Sequence, residues 1–207
     1  MNVNSAYFRN LGWAQLSGKW APAVLITFVY LLIAIVVSTA IGEVPKIGSL
    51  LTWIVTIALF PMDYAYKVAF LDNLRGGKEV EVNNLFAGYK DWGRIVSAML
   101  LSNIFIFLWT LLLIVPGIIK CIEYSQVVYI LKDNPQLGPD AAIERSIAMM
   151  YGHKWQYFKL VLSFIGWVLL VILTFGIAAL FYTPYFCATA ANYYEYVKED
   201  YNKRIEA

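Results

Sequence analysis

WAPAVLITFVYLLIAIVVSTAI, residues 20–41, runs for 22 residues without a charge. A bilayer core about 30 Å thick takes about 20 helical residues. Backbone groups in hydrocarbon must be paired within their own segment, so such a run is read as a helix. Gly42, Glu43, Pro45 and Lys46 end it. Working outward, a second apolar run extends from about Gly48 to Leu71 and holds Pro61, Asp63 and Lys67. The third covers Ile95 to Val115 and is closed by Pro116-Gly117, since proline cannot extend a helix and glycine accepts a turn. The fourth, Ile118 to Leu131, is short and carries Lys120 and Glu123. At 1.5 Å per residue it covers about 21 Å, so it stands upright, sits partly inside the bundle, or thins the bilayer. The fifth is Leu160 to Phe175, and the sixth runs from Gly176 to about Val197 with Pro184 inside it. Only Thr174-Phe175-Gly176 separates these two, which predicts a tight antiparallel hairpin. The expected fold is all-α: a polytopic transmembrane helical bundle of six spans, arranged as three helical hairpins with short amphipathic cytoplasmic helices.

Composition agrees. Hydrophobic residues are 60% and charged residues 14% of the 207, where an ordinary soluble domain has about 45–50% and about 25%. Mean hydropathy is +0.62. So little charge would not keep a water-exposed surface dispersed, which leaves lipid as the solvent for much of the chain. The net charge of +2 suggests no nucleic-acid partner. Cys121 and Cys187 both fall in apolar runs and are expected to be small buried residues, with no disulfide framework. With a single histidine, no metal site is expected. Because the first run starts only at Trp20, after an amphipathic segment, no cleaved signal peptide is expected.

Placement of lysine and arginine sets the orientation. Arg9 and Lys19 precede the first run. Arg75, Lys78, Lys90 and Arg94 fill the 72–94 loop, and Lys132, Arg145, Lys154 and Lys159 the 132–159 loop. Lys198, Lys203 and Arg204 close the chain. Of the 16 basic residues only Lys46 lies on the opposite side, with Lys67 and Lys120 inside runs. Positive charge collects on the cytoplasmic side, so both termini and both long loops are expected there, in a multi-pass protein of the bacterial cytoplasmic (inner) membrane.

Similar signals precede each hairpin: Gly18-Lys19-Trp20, Gly88-Tyr89-Lys90-Asp91-Trp92 and Gly152-His153-Lys154-Trp155. They suggest one membrane domain over 1–207 built from three repeats, 1–73, 74–134 and 135–207. The clearest amphipathic piece is Pro139 to Tyr151, with Ile143, Ile147, Met150 and Tyr151 on one face and Gly152 as its stop. It lies either in the membrane plane or against the bundle. Ser5 to Gly18 repeats the pattern less cleanly.

The run Leu108-Trp109-Thr110-Leu111-Leu112-Leu113-Ile114-Val115-Pro116-Gly117-Ile118-Ile119-Lys120, with Tyr124-Ser125, Gly152-His153-Lys154-Trp155, Thr174-Phe175-Gly176-Ile177 and Pro184-Tyr185, resembles a bacterial family of integral membrane proteins. That family is known as domain of unknown function number 975. The resemblance covers nearly the whole chain. It implies a bacterial cytoplasmic-membrane protein and implies no activity.

Ionisable groups inside spans are the candidate site, because an unpaired charge at the bilayer centre costs about 2.5–3.5 kcal/mol. Asp63 and Lys67 are four apart, and Lys120 and Glu123 three apart, so each pair can close on its own helix. They are expected either to line one polar cavity between the second and fourth runs, gripping a charged or zwitterionic substrate, or to be structural ion pairs with snorkelling lysines. Lys154, Trp155 and Lys159 are candidate headgroup contacts. Asn103, Gln126 and Asn192 are expected to bond neighbouring helices. The chain holds no HExxH, GxSxG or Walker loop, and no cofactor is implied. The expected function is a non-enzymatic membrane carrier or scaffold handling a small solute or lipid. The alternatives are an embedded enzyme using Asp63 and Glu123 as acid and base, or an interaction module of an envelope complex. Membrane lipids are the expected partners.

Overall fold

The computed structural model describes residues 4–42, 48–77 and 79–206. The expected turn at Glu43, Pro45 and Lys46 lies outside these residues, as does Lys78. The described residues form helices and turns, with no strand among them. In order they are α1 (Ser5–Leu16), α2 (Trp20–Gly42), α3 (Gly48–Gly76), a 3-10 segment (Val82–Asp91), α4 (Trp92–Leu112), α5 (Ile114–Glu123), α6 (Val127–Asp133), α7 (Pro139–Met150), α8 (Lys154–Leu162), α9 (Ile165–Leu173) and α10 (Ala179–Glu206).

Among the described residues, five stretches are long and apolar enough to cross a membrane: Trp20–Val37, Thr52–Gly76, Val82–Leu112, Ile114–Asp133 and Lys154–Leu173. Helix α10 is not among them. The reason is its composition, rich in tyrosine and charged towards its end, and it packs against α1, α2, α3 and α7, burying Tyr185, Cys187, Thr189, Tyr193, Tyr194 and Val197. A helix solvated by protein can carry tyrosine hydroxyls and a charged tail that a lipid-facing one cannot. Pro61 and Pro184 both sit inside helices, α3 and α10.

Three expected boundaries move. The turn after the third run is at Leu113, the only extended residue between α4 and α5 (φ −156°, ψ 138°), and Pro116-Gly117 belongs to α5. Pro116 stands in the first helical turn, where its missing N–H has no intrahelical partner to lose. Gly117 is required by close approach, because a Cβ there would lie 2.1 Å from Thr110 Oγ1 and 2.9 Å from Thr110 Cα on α4. The fourth run is two helices, broken at Tyr124-Ser125-Gln126, and the fifth is interrupted at Ser163-Phe164. The turn at Thr174-Phe175-Gly176 is where the sequence puts it. Phe175 (φ 50°) is 99% exposed there.

The interior uses one half of each long helix. Phe70 and Leu71 near the end of α3, Ile95 near the start of α4, Leu131 of α6 and Met150 of α7 are buried. The opposite halves are apolar and exposed, as at Trp53 and Ile54 of α3 and Leu111 and Leu112 of α4. Helix α7 lies against α4, α5, α6 and α10, so it is a loop helix packed on the bundle. Its buried face is Ala142, Ile143, Ser146, Met149 and Met150, with Ile147 half-buried. Tyr151, expected on that face, is exposed because the helix ends at Met150 and the chain turns away. Helix α1 buries Phe8, Gly12 and Leu16 at four-residue spacing. A Cβ on Gly12 would stand 2.3 Å from Thr189 Oγ1 of α10.

Candidate functional site

Helix α3 places Asp63 and Lys67 one turn apart, and the Lys67 ammonium donates to Asp63 Oδ2 at 2.7 Å. Tyr30 of α2 points its hydroxyl at Asp63 Oδ1 from 3.5 Å. Lys67 also lines a crevice of about 180 Å³, with Ser102 and Asn103 of α4, Cys121 of α5, and Tyr124 and Ser125 of the break that follows it. At about 30 Å³ per water that is room for a small polar group. The Lys67 side chain keeps 37% of its surface accessible. Side chains stabilise the broken backbone. Ser125 Oγ donates to the Ile122 carbonyl at 2.7 Å and accepts from Gln126 Nε2 at 2.7 Å. The Ser125 and Val127 amides close short turns onto Ile122 O and Tyr124 O.

Glu123 ends α5, and its side chain is 6% exposed. Lys120 donates to Oε2 at 2.6 Å, and Lys154, at the start of α8, donates to Oε1. The Lys120 ammonium also stands 5.5 Å from the centre of the Trp109 ring on α4, within cation–π range. From α7, Ser146 Oγ donates to the Glu123 carbonyl at 2.5 Å and accepts the Gln126 amide at 3.3 Å. Helices α7 and α8 are thus both tied to the break between α5 and α6. The buried Gln126 Oε1 has no hydrogen-bond partner among the described residues.

Both spacings therefore close as intrahelical pairs, and of the four residues Lys67 lines this crevice. Lys67 faces the crevice, whereas Lys120 and Glu123 form a separate cluster with Lys154. Of the candidate headgroup contacts, Lys154 is turned onto Glu123. Trp155 is exposed and stacks on Phe158 with centroids 5.3 Å apart, and Lys159 is exposed. Asn192 does bond a neighbouring helix, donating to Gln15 Oε1 of α1 at 2.7 Å. Asn103 bonds back to Met99 O of its own helix, and the Gln126 side chain bonds Ser125 within the break. Cys187 is buried as expected, but Cys121 is exposed, because α5 turns that face away from the core and into the crevice rim.

Sequence reasoning missed a third cluster. Asp133, at the end of α6, accepts two parallel bonds from Arg75 of α3 (2.6 and 2.8 Å), one from Lys198 (2.5 Å) and one from the Tyr194 hydroxyl (2.8 Å) of α10. Arg75 Nε reaches Glu195 at 2.6 Å. Lys132 next door pairs with Asp72 at 2.8 Å. The only signal in the sequence is that Arg75, Asp133 and Lys198 all end apolar runs on the same expected side. Farther along α10, a bond from His153 holds the Asp200 carboxyl below its ordinary value, with Arg204 helping.

The described residues are thus all-helical, with five helical stretches long and apolar enough to cross a membrane, a crevice lined by Lys67 at a helix break and two ion clusters that each join several helices. The chain belongs to the family described as "Protein of unknown function (DUF975)", whose model matches residues 1–122 and 110–201. No curated protein and no solved structure matches it. Among the described residues, no group of three His, Cys, Asp or Glu could hold a metal ion.

Proposed function

We propose that this chain is a multi-pass protein of the bacterial cytoplasmic membrane, with both termini inside because α10 returns the chain from the Phe175 turn to the side where Arg75 and Asp133 meet it, and that it acts as a carrier: its crevice takes a small polar solute or a lipid headgroup. The observation that carries this reading is the break at Tyr124-Ser125-Gln126 beside Lys67, in helices whose outer halves are apolar and exposed. Monomeric water-soluble proteins rarely expose apolar patches beyond a few hundred Å². At membrane depth, irregular backbone is tolerated only where it is buried or lines a cavity. In carriers, broken helices near the midplane are where substrate is held. An ion pair beside such a break favours ligands that carry a charge, since Lys67 supplies a cation and Asp63 neutralises it when the crevice is empty of anions. The embedded-enzyme alternative has less support, because Asp63 and Glu123 are each engaged by lysines and lie in different clusters.

Cys121 is a built-in reporter. In a Cys187→Ser background, a maleimide should modify Cys121 in proteoliposomes, and a panel of carboxylates, amino acids and phosphate esters should include a class that slows the reaction. Lys67→Met should remove that protection. Labelling indifferent to every solute class in the panel would overturn the carrier reading. Topology is checked separately. A cysteine at Val44 should label from outside intact cells and one at Gly76 should not, and the reverse pattern overturns the orientation.

A further inference from the structure

Between the first turns of α2 and α10 lies an apolar groove of about 490 Å³, lined by Trp20, Val24, Leu25, Phe28, Leu180 and Phe181. Leu25, Phe28 and Phe181 are about half exposed along its rim. From Trp20 to Phe28 the groove follows α2 for about 12 Å at the helical rise. At its foot is a pair of indoles. Trp13 of α1 meets Trp20 edge-on at 5.0 Å between centroids, and Trp20 meets Phe181 at 6.3 Å. Trp13 also contacts the Tyr185 ring at 5.7 Å and is itself half exposed.

A cation stands next in line. Arg9 precedes Trp13 by four residues on α1, so the two share a face, and Arg9 reaches Ser163, whose neighbour Phe164 meets the Tyr185 ring at 5.1 Å between centroids, the same ring that Trp13 touches. Arg9 Nη1 donates to the Ser163 carbonyl at 3.0 Å, which anchors the side chain and uses one of five guanidinium N–H donors. Along the surface the order is therefore cation, two tryptophans, then a wholly apolar channel. A phospholipid presents the same order from phosphate to acyl chain, and tryptophans gather at the level between them.

We infer that the α2–α10 groove is a specific site for one phospholipid with an anionic headgroup, its acyl chain along Val24 and Phe28 and its phosphate at Arg9. The inference rests on the membrane placement proposed above and is independent of the Lys67 crevice. The chain is reconstituted into vesicles of equal phosphatidylglycerol and phosphatidylcholine, released in mild detergent, and weighed by native mass spectrometry. The wild type should keep one phosphatidylglycerol per chain. Val24→Trp, which fills the channel, should lose it, while Leu112→Trp on the exposed end of α4 should keep it. Arg9→Gln retains a donor for Ser163 and should weaken the preference for phosphatidylglycerol over phosphatidylcholine by about fivefold, the effect of one basic residue at an anionic surface. Should Val24→Trp fail to fold, Phe28→Ala at the half-exposed rim replaces it, again with loss of the retained lipid expected. Retention equal to wild type in the folded channel variant, or retention without headgroup preference, overturns the site. A chain that enters the vesicles but keeps no lipid overturns the groove alone. One that does not enter them overturns the membrane placement.

Discussion

Glu123→Ala should destabilise the protein by about 3–5 kcal/mol, the range found when one partner of a buried ion pair is deleted. The carboxylate is almost wholly enclosed, and each of its oxygens serves a different lysine, Lys120 on its own helix and Lys154 on α8. Removing it leaves two ammonium groups facing each other with no anion between them. Lys120 is half-buried and partly shielded by the Trp109 ring, so it cannot simply relax into water. Glu123→Gln keeps the shape and one acceptor and should cost about half as much. Thermal unfolding in detergent gives the ranking. A double substitution with Lys154→Met should lose less than the two singles together, because contacting residues are coupled. An alanine variant as stable as the wild type would mean that the α8 lysine does not reach this carboxylate. The variant also bears on function, since Glu123 immediately precedes the break that borders the crevice. A loss of Cys121 protection with stability retained would tie the cluster to ligand binding.

Asp133→Ala is the second large effect, about 3 kcal/mol. Its carboxylate is 10% exposed and gathers Arg75, Lys198 and Tyr194, joining the ends of α3 and α6 to α10. The lower end of the buried-pair range applies because Arg75 and Lys198 are each about a third exposed, and water takes over part of their solvation. At about 2–4 °C per kcal/mol for a chain of this size, the midpoint should fall by roughly 6–12 °C. Arg75→Lys should recover little, since a lysine cannot make the two parallel bonds that the guanidinium makes to Asp133. Asp133→Asn should fall between alanine and wild type, as it keeps one acceptor and loses the charge. If Asp133→Ala shifts the midpoint by no more than a typical surface change, the ends of α3 and α6 are held to α10 by apolar packing alone.

The order of apolar runs, the two intrahelical ion pairs and the Phe175 turn could be read from the chain because each is local. A stretch without charges, a four-residue spacing or a Phe-Gly pair acts within a few residues of itself. The sequence points to a turn at Pro116-Gly117, three residues past the actual one at Leu113, for a physical reason. Proline is compatible with the start of a helix as well as with the end of one, and the close pass of Gly117 over Thr110 is a contact between two helices. The break at Tyr124-Ser125-Gln126 contains no proline or glycine, and it exists because Ser146 of α7 and the Ser125 side chain bond the backbone there. Lys154 reads as a boundary lysine, and only the docking of α8 turns it onto Glu123.

By itself the sequence determined that the chain is helical, which segments are apolar enough to cross a bilayer, and where the positive charge collects. Those properties follow from side-chain chemistry and the 1.5 Å rise, without reference to neighbours. Tertiary structure alone decided which face of α10 is buried, that Asp133 ties the ends of α3 and α6 to α10, and that Lys67 faces the crevice. Each of these depends on which helix faces mate, and residues such as Arg75, Asp133 and Lys198 become a site only when chain segments far apart in sequence are brought within hydrogen-bond distance.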